Sequence, residues 1–237
     1  MIENIRKKSM ATRDERWPEG EREIKIQAAR DLLACRAVFF RPENPFTWAS
    51  GIKSPVYTDN RLTLSDPVIR TRIEEALADL IRTYYPEAEL LMGTATAGIP
   101  HAAIAAHLLN LPMGYVRSSS KDHGRQNRIE GKVTRGEKVV VVEDLISTAG
   151  SAVESAEALR EEGAEVLGIV SLFTYGMHRS AARLREAGLL LHSLTNFDEV
   201  CHVAADEGYI SPQDVERLLA FRDNPADESW IRRKEEQ

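Results

Sequence analysis

Glu143 and Asp144 stand side by side after four consecutive valines, and Leu145, Ile146, Ser147, Thr148, Ala149, Gly150 and Ser151 follow them. Carboxylates accept hydrogen bonds from hydroxyls. A run of small residues entering a helix offers backbone N–H groups, and a helix N-terminus favours an anion such as phosphate. Two acids beside a phosphate cradle would repel the phosphate unless the same ligand also carried hydroxyls. A sugar phosphate is the simplest molecule that satisfies both. The segment has no Gly-Lys-Ser/Thr of a Walker loop and no GxGxxG dinucleotide fingerprint. Four β-branched residues in a row predict a strand buried on both faces, as in a parallel sheet, over 139–142. Such sheets open their ligand crevice at the carboxyl ends of the strands, where these acids fall.

Three further segments bear chemistry. Residues 117–131, RSSSKDHGRQNRIEG, hold Arg117, Lys121, His123, Arg125 and Arg128 with few apolar residues. A basic loop without a core face is either solvated surface or a lid whose cations neutralise charge growing on a leaving group. His123, with a reference pKa of about 6.5, adds a group able to move a proton near neutrality. Residues 90–101, LLMGTATAGIPH, form a second strand-turn-helix unit in which Gly93 and Gly98 allow backbone to approach an anion closely. Residues 46–61, FTWASGIKSPVYTDNR, put Phe46, Trp48 and Tyr57 near Lys53 and Arg61. Aromatic faces there suit a planar heterocycle and a cation its carboxylate, although Phe46 and Trp48 equally suit packing of a small lobe. Lys53 and Tyr57 read as binding residues. His101, His107, His178, His192 and His202 show no metal-ligand spacing.

Elements that must position these residues follow from periodicity and capping. A helix is predicted over 23–39, a short strand at 56–57, and a helix from Asp66-Pro67 to about Tyr84. Strand and helix then alternate, as in a parallel α/β sheet: strands at 90–92, 113–116, 139–142, 166–173 and 189–193, and helices at 100–109, 151–162, 179–187 and 212–221. Ser151 and Glu154 read as a capping box, and Ser211 caps the last helix. The chain divides into a polar extension 1–22, an N-terminal helix and hood segment 23–65, a core 66–221, and a charged tail 222–237 docked by Trp230.

Composition bounds the function. The chain has 237 residues, a net charge of −6, 43% hydrophobic and 29% charged residues, which describes an ordinary globular protein. The acidic balance speaks against a nucleic-acid partner. No run of 18 apolar residues spans a membrane, and the polar start lacks a signal-peptide core. Cys35 and Cys201 are far apart and outside any ligand cluster, so free thiols in a reducing cytoplasm are expected, Cys35 in a packing role.

Together FTWASGIKSPVYTDNRLTLSDP, GTATAGIPHAA, YVRSSSKDHG, EDLISTAGS and SLFTYG resemble the orotate phosphoribosyltransferases over about residues 24–230. The resemblance implies a type I phosphoribosyltransferase-like α/β fold, a parallel sheet flanked by helices with a small N-terminal hood lobe. It implies transfer of the phosphoribosyl group from phosphoribosyl diphosphate to orotate, with Mg²⁺ bound through diphosphate and ribose oxygens and no metal site of the protein's own. Glu143 and Asp144 would hold the ribose hydroxyls. Substrate contacts would continue through Leu145 and Ile146 to the 5′-phosphate cradle of Ser147, Thr148, Ala149, Gly150 and Ser151. Arg117, Lys121 and His123 would grip the diphosphate, with Lys121, His123 and Asp144 as the catalytic groups and Lys53 and Tyr57 also binding substrate. A cytoplasmic homodimer sharing the basic loop across its interface is implied as well.

The chain departs from the family at Ser118, Ala97 and Ala49, where many members carry lysine, and no arginine for the orotate carboxylate is placed. Rival readings are a transferase of the same fold for a purine, a regulator that kept the binding site, and a nicotinamide-binding protein. The orotate-type FTWASGIKSP segment opposes the first, the acidic first helix the second, and the missing glycine fingerprint the third.

Overall fold

The computed structural model describes residues 20–47, 51–118 and 128–231. Trp48, Ala49, Lys121, His123 and Arg125 lie outside the described residues, as do the first nineteen and the last six.

Helix α1 (Glu21–Ala34) buries Ala28, Ala29, Leu32 and Leu33 and ends earlier than the periodicity predicts. Arg36 takes a left-handed φ of 58°, and the Ala37 N–H turns back to the Leu32 carbonyl at 2.8 Å. Residues Val38–Phe40 instead form strand β1, which suits a β-branched residue followed by two aromatics. A hood lobe follows: β2 (Phe46–Thr47) pairs with β3 (Lys53–Ser54), and β4 (Val56–Thr58) pairs antiparallel with β1. A 3₁₀ segment, Asn60–Ser65, leads to α2 (Pro67–Tyr84), which Asp66 caps by accepting from the N–H groups of Val68 and Ile69.

The core is a six-stranded sheet. In chain order it contains β5 (Leu90–Thr94), β6 (Met113–Val116), β7 (Ile129–Glu130), β8 (Lys138–Ile146), β9 (Glu165–Thr174) and β10 (Leu191–Asn196). Their spatial order is β10-β9-β8-β5-β6-β7, parallel except for β7 against β6. The connecting helices are α3 (Gly98–Leu109), α4 (Gly150–Glu161) and α5 (His178–Glu186). Val139 to Val142 are all fully buried, and they alternate: Val140 and Val142 join one apolar cluster, Val139 and Val141 the other. That two-sided burial is what an unbroken apolar strand requires.

Two further predicted elements need correction, and one helix was not predicted. Strand β8 does not stop at Val142 but pairs with β9 as far as Ile146 opposite Thr174, so Glu143 and Asp144 lie inside a strand. The strand expected at 189–193 is β10, displaced because Gly188, at φ 61°, and Leu189 close the end of α5. Helix α6 (Phe197–Asp206) went unread, although Asn196 caps it through the Glu199 N–H and two acids occupy its first turn. Helix α7 (Pro212–Asp223) completes the chain, and Trp230 docks edge-on against Phe221 with ring centroids 5.7 Å apart.

From β5 the chain crosses to β6 on one side and returns to β8 on the other, so the sheet reverses its winding between β5 and β8. Ligands of open α/β sheets bind at such a point. The start of α3 is pressed into it: a Cβ on Gly98 would lie 2.5 Å from the Val142 carbonyl oxygen and 2.6 Å from Thr94 Oγ1. Gly93 is crowded in turn by Gly98 and Ile99. These glycines therefore serve contact between helix and strand, whereas the sequence suggested approach to an anion. A buried pair, His101 Nδ1 to Glu74 Oε1 at 2.6 Å, ties α3 to α2 one turn further on. Gly98→Ala is expected to lower the thermal midpoint by about 5 °C, since overpacking costs on the order of 2 kcal/mol in a domain of this size. An unchanged melt would show that the α3 start yields.

Candidate active site

At the carboxyl end of β8 the chain turns through Ser147 and Thr148 into α4. Ala149 makes the turn with a left-handed φ of 60° and stands as the N-cap. No side chain caps this helix, so the Ser151–Glu154 capping box does not form. Ser151 instead donates to Glu143 Oε2 at 3.0 Å, and Glu154 lies 3.6 Å from Arg128. Among the described residues, the backbone N–H groups of Ser147, Thr148, Ala149, Gly150 and Ser151 donate to nothing. Five neighbouring donors without acceptors form a cup for an anion. A second turn, around the cis Ala95–Thr96 peptide, lies beside it at the end of β5.

The two acids divide their environments. Glu143 is only 6% exposed, and its carboxylate also accepts from the Asp144 N–H at 3.1 Å. Burial pushes its carboxyl up to about 8, reinforced by Asp144 and opposed by hydroxyl hydrogen bonds from Thr94 and Ser151. Asp144 is half-buried, and its carbonyl accepts from Asn60 Nδ2 at 2.8 Å. Asn60 is a residue that sequence reasoning passed over, and its Oδ1 is buried without a partner. Leu145 is half-buried, while the Ile146 side chain belongs to the core and its carbonyl is taken by the Tyr175 N–H. Neither the side chain nor the carbonyl of Ile146 is open to a ligand.

The hood is joined to this corner by two contacts, Asn60 to Asp144 and Tyr175 Oη to Thr58 Oγ1 at 3.1 Å. Tyr57 is 43% exposed and packs against Phe46 with ring centroids 5.7 Å apart. Lys53 donates to Thr47 Oγ1 across the small hairpin. Arg61 forms a two-pronged bond to Asp59, whose carboxyl it holds below the usual range, and its charge is felt by Asp144. On the far side, Arg117 follows β6. Its Nη1 is buried without a hydrogen bond, 3.7 Å from Glu130. Lys121 and His123 lie outside the described residues, so their position relative to the cup is not part of this geometry.

The phosphoribosyl transferase domain model matches residues 63–188, more than half of the chain. An orotate phosphoribosyltransferase of Listeria monocytogenes is 52% identical over 207 residues, covering 87% of this chain and 98% of that one. The chain belongs to the orotate phosphoribosyltransferase family. Among solved structures, the orotate phosphoribosyltransferase of Aeropyrum pernix matches with a TM-score of 0.67 at 30% identity, over 77% of this chain and 99% of that one. The UMP synthase of Leishmania donovani matches with a TM-score of 0.72 at 27% identity over 84% of this chain, which spans only 42% of that longer protein. The mixed α/β sheet flanked by helices is thus the type I phosphoribosyltransferase fold. Its adjacent carboxylates and the unpartnered amides of the 147–151 turn meet at the reversal of the sheet.

Among the described residues there is no group of three metal-ligating side chains, and no helix is long and apolar enough to cross a membrane. The raised Glu143 carboxyl carries a pH signature. The folded protein keeps a proton that the unfolded chain, with a carboxyl near 4.5, releases. The associated stability is present below that lower value and is lost as pH rises towards 8. Glu143→Gln should therefore melt progressively higher than the parent as pH is raised from about 5 to about 8. A difference in melting temperature that stays constant across this range would refute a buried, proton-holding Glu143.

Proposed function

We propose that this chain transfers the 5-phosphoribosyl group of phosphoribosyl diphosphate to orotate, giving orotidine 5′-monophosphate and diphosphate. The observation that carries the reading is the convergence of five unpartnered amides with two adjacent carboxylates at the winding reversal. No simpler ligand than a phosphorylated sugar answers to both. The amides of Ser147 to Ser151 receive the 5′-phosphate, and Glu143 and Asp144 face the ribose hydroxyls. The C1–diphosphate bond breaks, the electron pair leaves with the diphosphate, and a ring nitrogen of orotate closes on the electron-poor C1 while its N–H proton passes to the departing diphosphate. No covalent enzyme intermediate is required. The chain's part is alignment and charge stabilisation.

Arg117, whose buried Nη1 makes no hydrogen bond and lies 3.7 Å from Glu130, is assigned to the diphosphate. Lys121 and His123 complete that role in this reading, Lys121 as the main cation. Lys53 and Tyr57 of the hood are assigned to the base. In this reading Mg²⁺ arrives with the substrate, bound through diphosphate and ribose oxygens, and Glu143 and Asp144 are the acids that would hold the ribose beside it. When bound, it would supply positive charge to neutralise the diphosphate, while Asp144 and Glu143 would hold the ribose hydroxyls. A cytoplasmic homodimer, with the 117–131 loop reaching into the partner's site, belongs to the same proposal.

The test is the change in orotate absorbance on adding phosphoribosyl diphosphate, with Mg²⁺ present and absent. Orotate should be consumed only with Mg²⁺, and adenine or xanthine should not react. Turnover of a purine in place of orotate would transfer the site to another base. Asp144→Asn should lose at least a hundredfold in turnover while inorganic phosphate still binds the cup. Undiminished turnover in that variant would remove Asp144 from the chemistry.

A further inference from the structure

Arg183 lies near the end of α5, and its guanidinium crosses to the turn before α4. Its Nη1 donates to the Thr148 carbonyl at 3.3 Å and sits 2.8 Å from the point where a Cβ on Gly150 would stand. Side-chain bonds on a helix lean towards its N-terminus, so this point is at the mouth of the cup. Gly150, lacking a side chain, leaves the guanidinium its room.

The placement is electrostatically wrong for an empty cup. A cation beside a helix N-terminus is repelled by the helix dipole, which favours anions there. Arg183 has no carboxylate partner among the described residues, since its one recorded bond goes to a neutral carbonyl. The neighbouring acid, Glu143, is engaged by Ser151, Thr94 and the Asp144 N–H, and burial favours its neutral form. The five amides of the turn are unpartnered as well. A half-buried guanidinium and a nest of N–H donors with no acceptor between them are satisfied together only by an anion.

We propose that Arg183 is a direct binding residue for the 5′-phosphate of the ribosyl donor, supplying the one side-chain charge to a cup otherwise built of backbone. The inference rests on the reading of the 147–151 turn given above. It follows that the site distinguishes phosphorylated from unphosphorylated ribose by a charge contact, with Gly150 as its steric counterpart.

Two probes separate the possibilities: ribose 5-phosphate, which carries the 5′-phosphate, and magnesium pyrophosphate, which does not. Each is titrated calorimetrically into the parent protein, Arg183→Gln and Arg183→Lys. Glutamine keeps an N–H donor for the Thr148 carbonyl but removes the charge, and lysine keeps the charge. Arg183→Gln should weaken ribose 5-phosphate at least about tenfold, the scale of a charge-assisted hydrogen bond, and leave magnesium pyrophosphate unchanged. Arg183→Lys should fall between the two. In turnover, KM for phosphoribosyl diphosphate should rise by the same factor, with KM for orotate unaltered. Equal affinity of parent and Arg183→Gln for ribose 5-phosphate would overturn the proposal. So would equal weakening of both probes, which marks a role in shaping the turn, or a rise confined to KM for orotate. A parent protein that fails to bind ribose 5-phosphate would instead refute the cup itself.

Discussion

The contact on which the site depends is the close approach of α3 to β8, where Gly98 rests against the Val142 carbonyl with no space for a side chain. Parallel strands of a sheet lie about 4.8 Å apart, and here β5 and β8 are direct neighbours that leave in opposite directions across the sheet. Packing α3 tightly into that divergence brings the turn after β5 beside the turn after β8. Thr94, at the end of β5, thereby reaches Glu143 on β8. Each turn by itself is an ordinary strand-to-helix connection. Side by side they enclose one crevice with donors from both.

Electrostatics then give the crevice its character. Glu143 sits on a strand whose preceding residues are wholly buried, so its carboxyl is withdrawn from water and gains a proton, while Asp144, one residue on, faces the half-exposed side of the sheet. Beyond them lies a concentration of donors: the unpartnered amides of the 147–151 turn and Arg183. In the proposed function, this acid pair and these surplus donors answer to a ligand that is a hydroxyl donor at one end and an anion at the other.

The hood is held to this corner by few bonds. Asn60 and Tyr175 fasten its base to β8 and the end of β9, and Arg217 on α7 ties it from outside through the Pro42 carbonyl and Glu43. The strands of the hood are two or three residues long and bury little, apart from Val38, Ser54 and Val56. The proposed role of Lys53 and Tyr57 at the base requires only that such a lobe be anchored at its foot, not that it be part of the core.

Much of this was legible in the chain itself. Four valines announced a strand covered on both faces, Asp66-Pro67 a helix start, and the EDLISTAGS segment a family, because each depends on local stereochemistry or on a rare order of residues. Other features were decided only by packing. Strand β8 runs past its valines because β9 offers partners as far as Thr174. Ser151 forms no capping box with Glu154 because the helix begins before it, at Gly150, and its hydroxyl turns to Glu143 instead. Gly98 is small for the sake of a neighbouring carbonyl, and Asn60 and Arg183 reach the site from elements far off in sequence. Periodicity and capping report on neighbours along the chain, within about one helical turn. Contacts between residues 35 or 84 positions apart exist only once the sheet has closed, and these contacts set the shape and charge of the crevice.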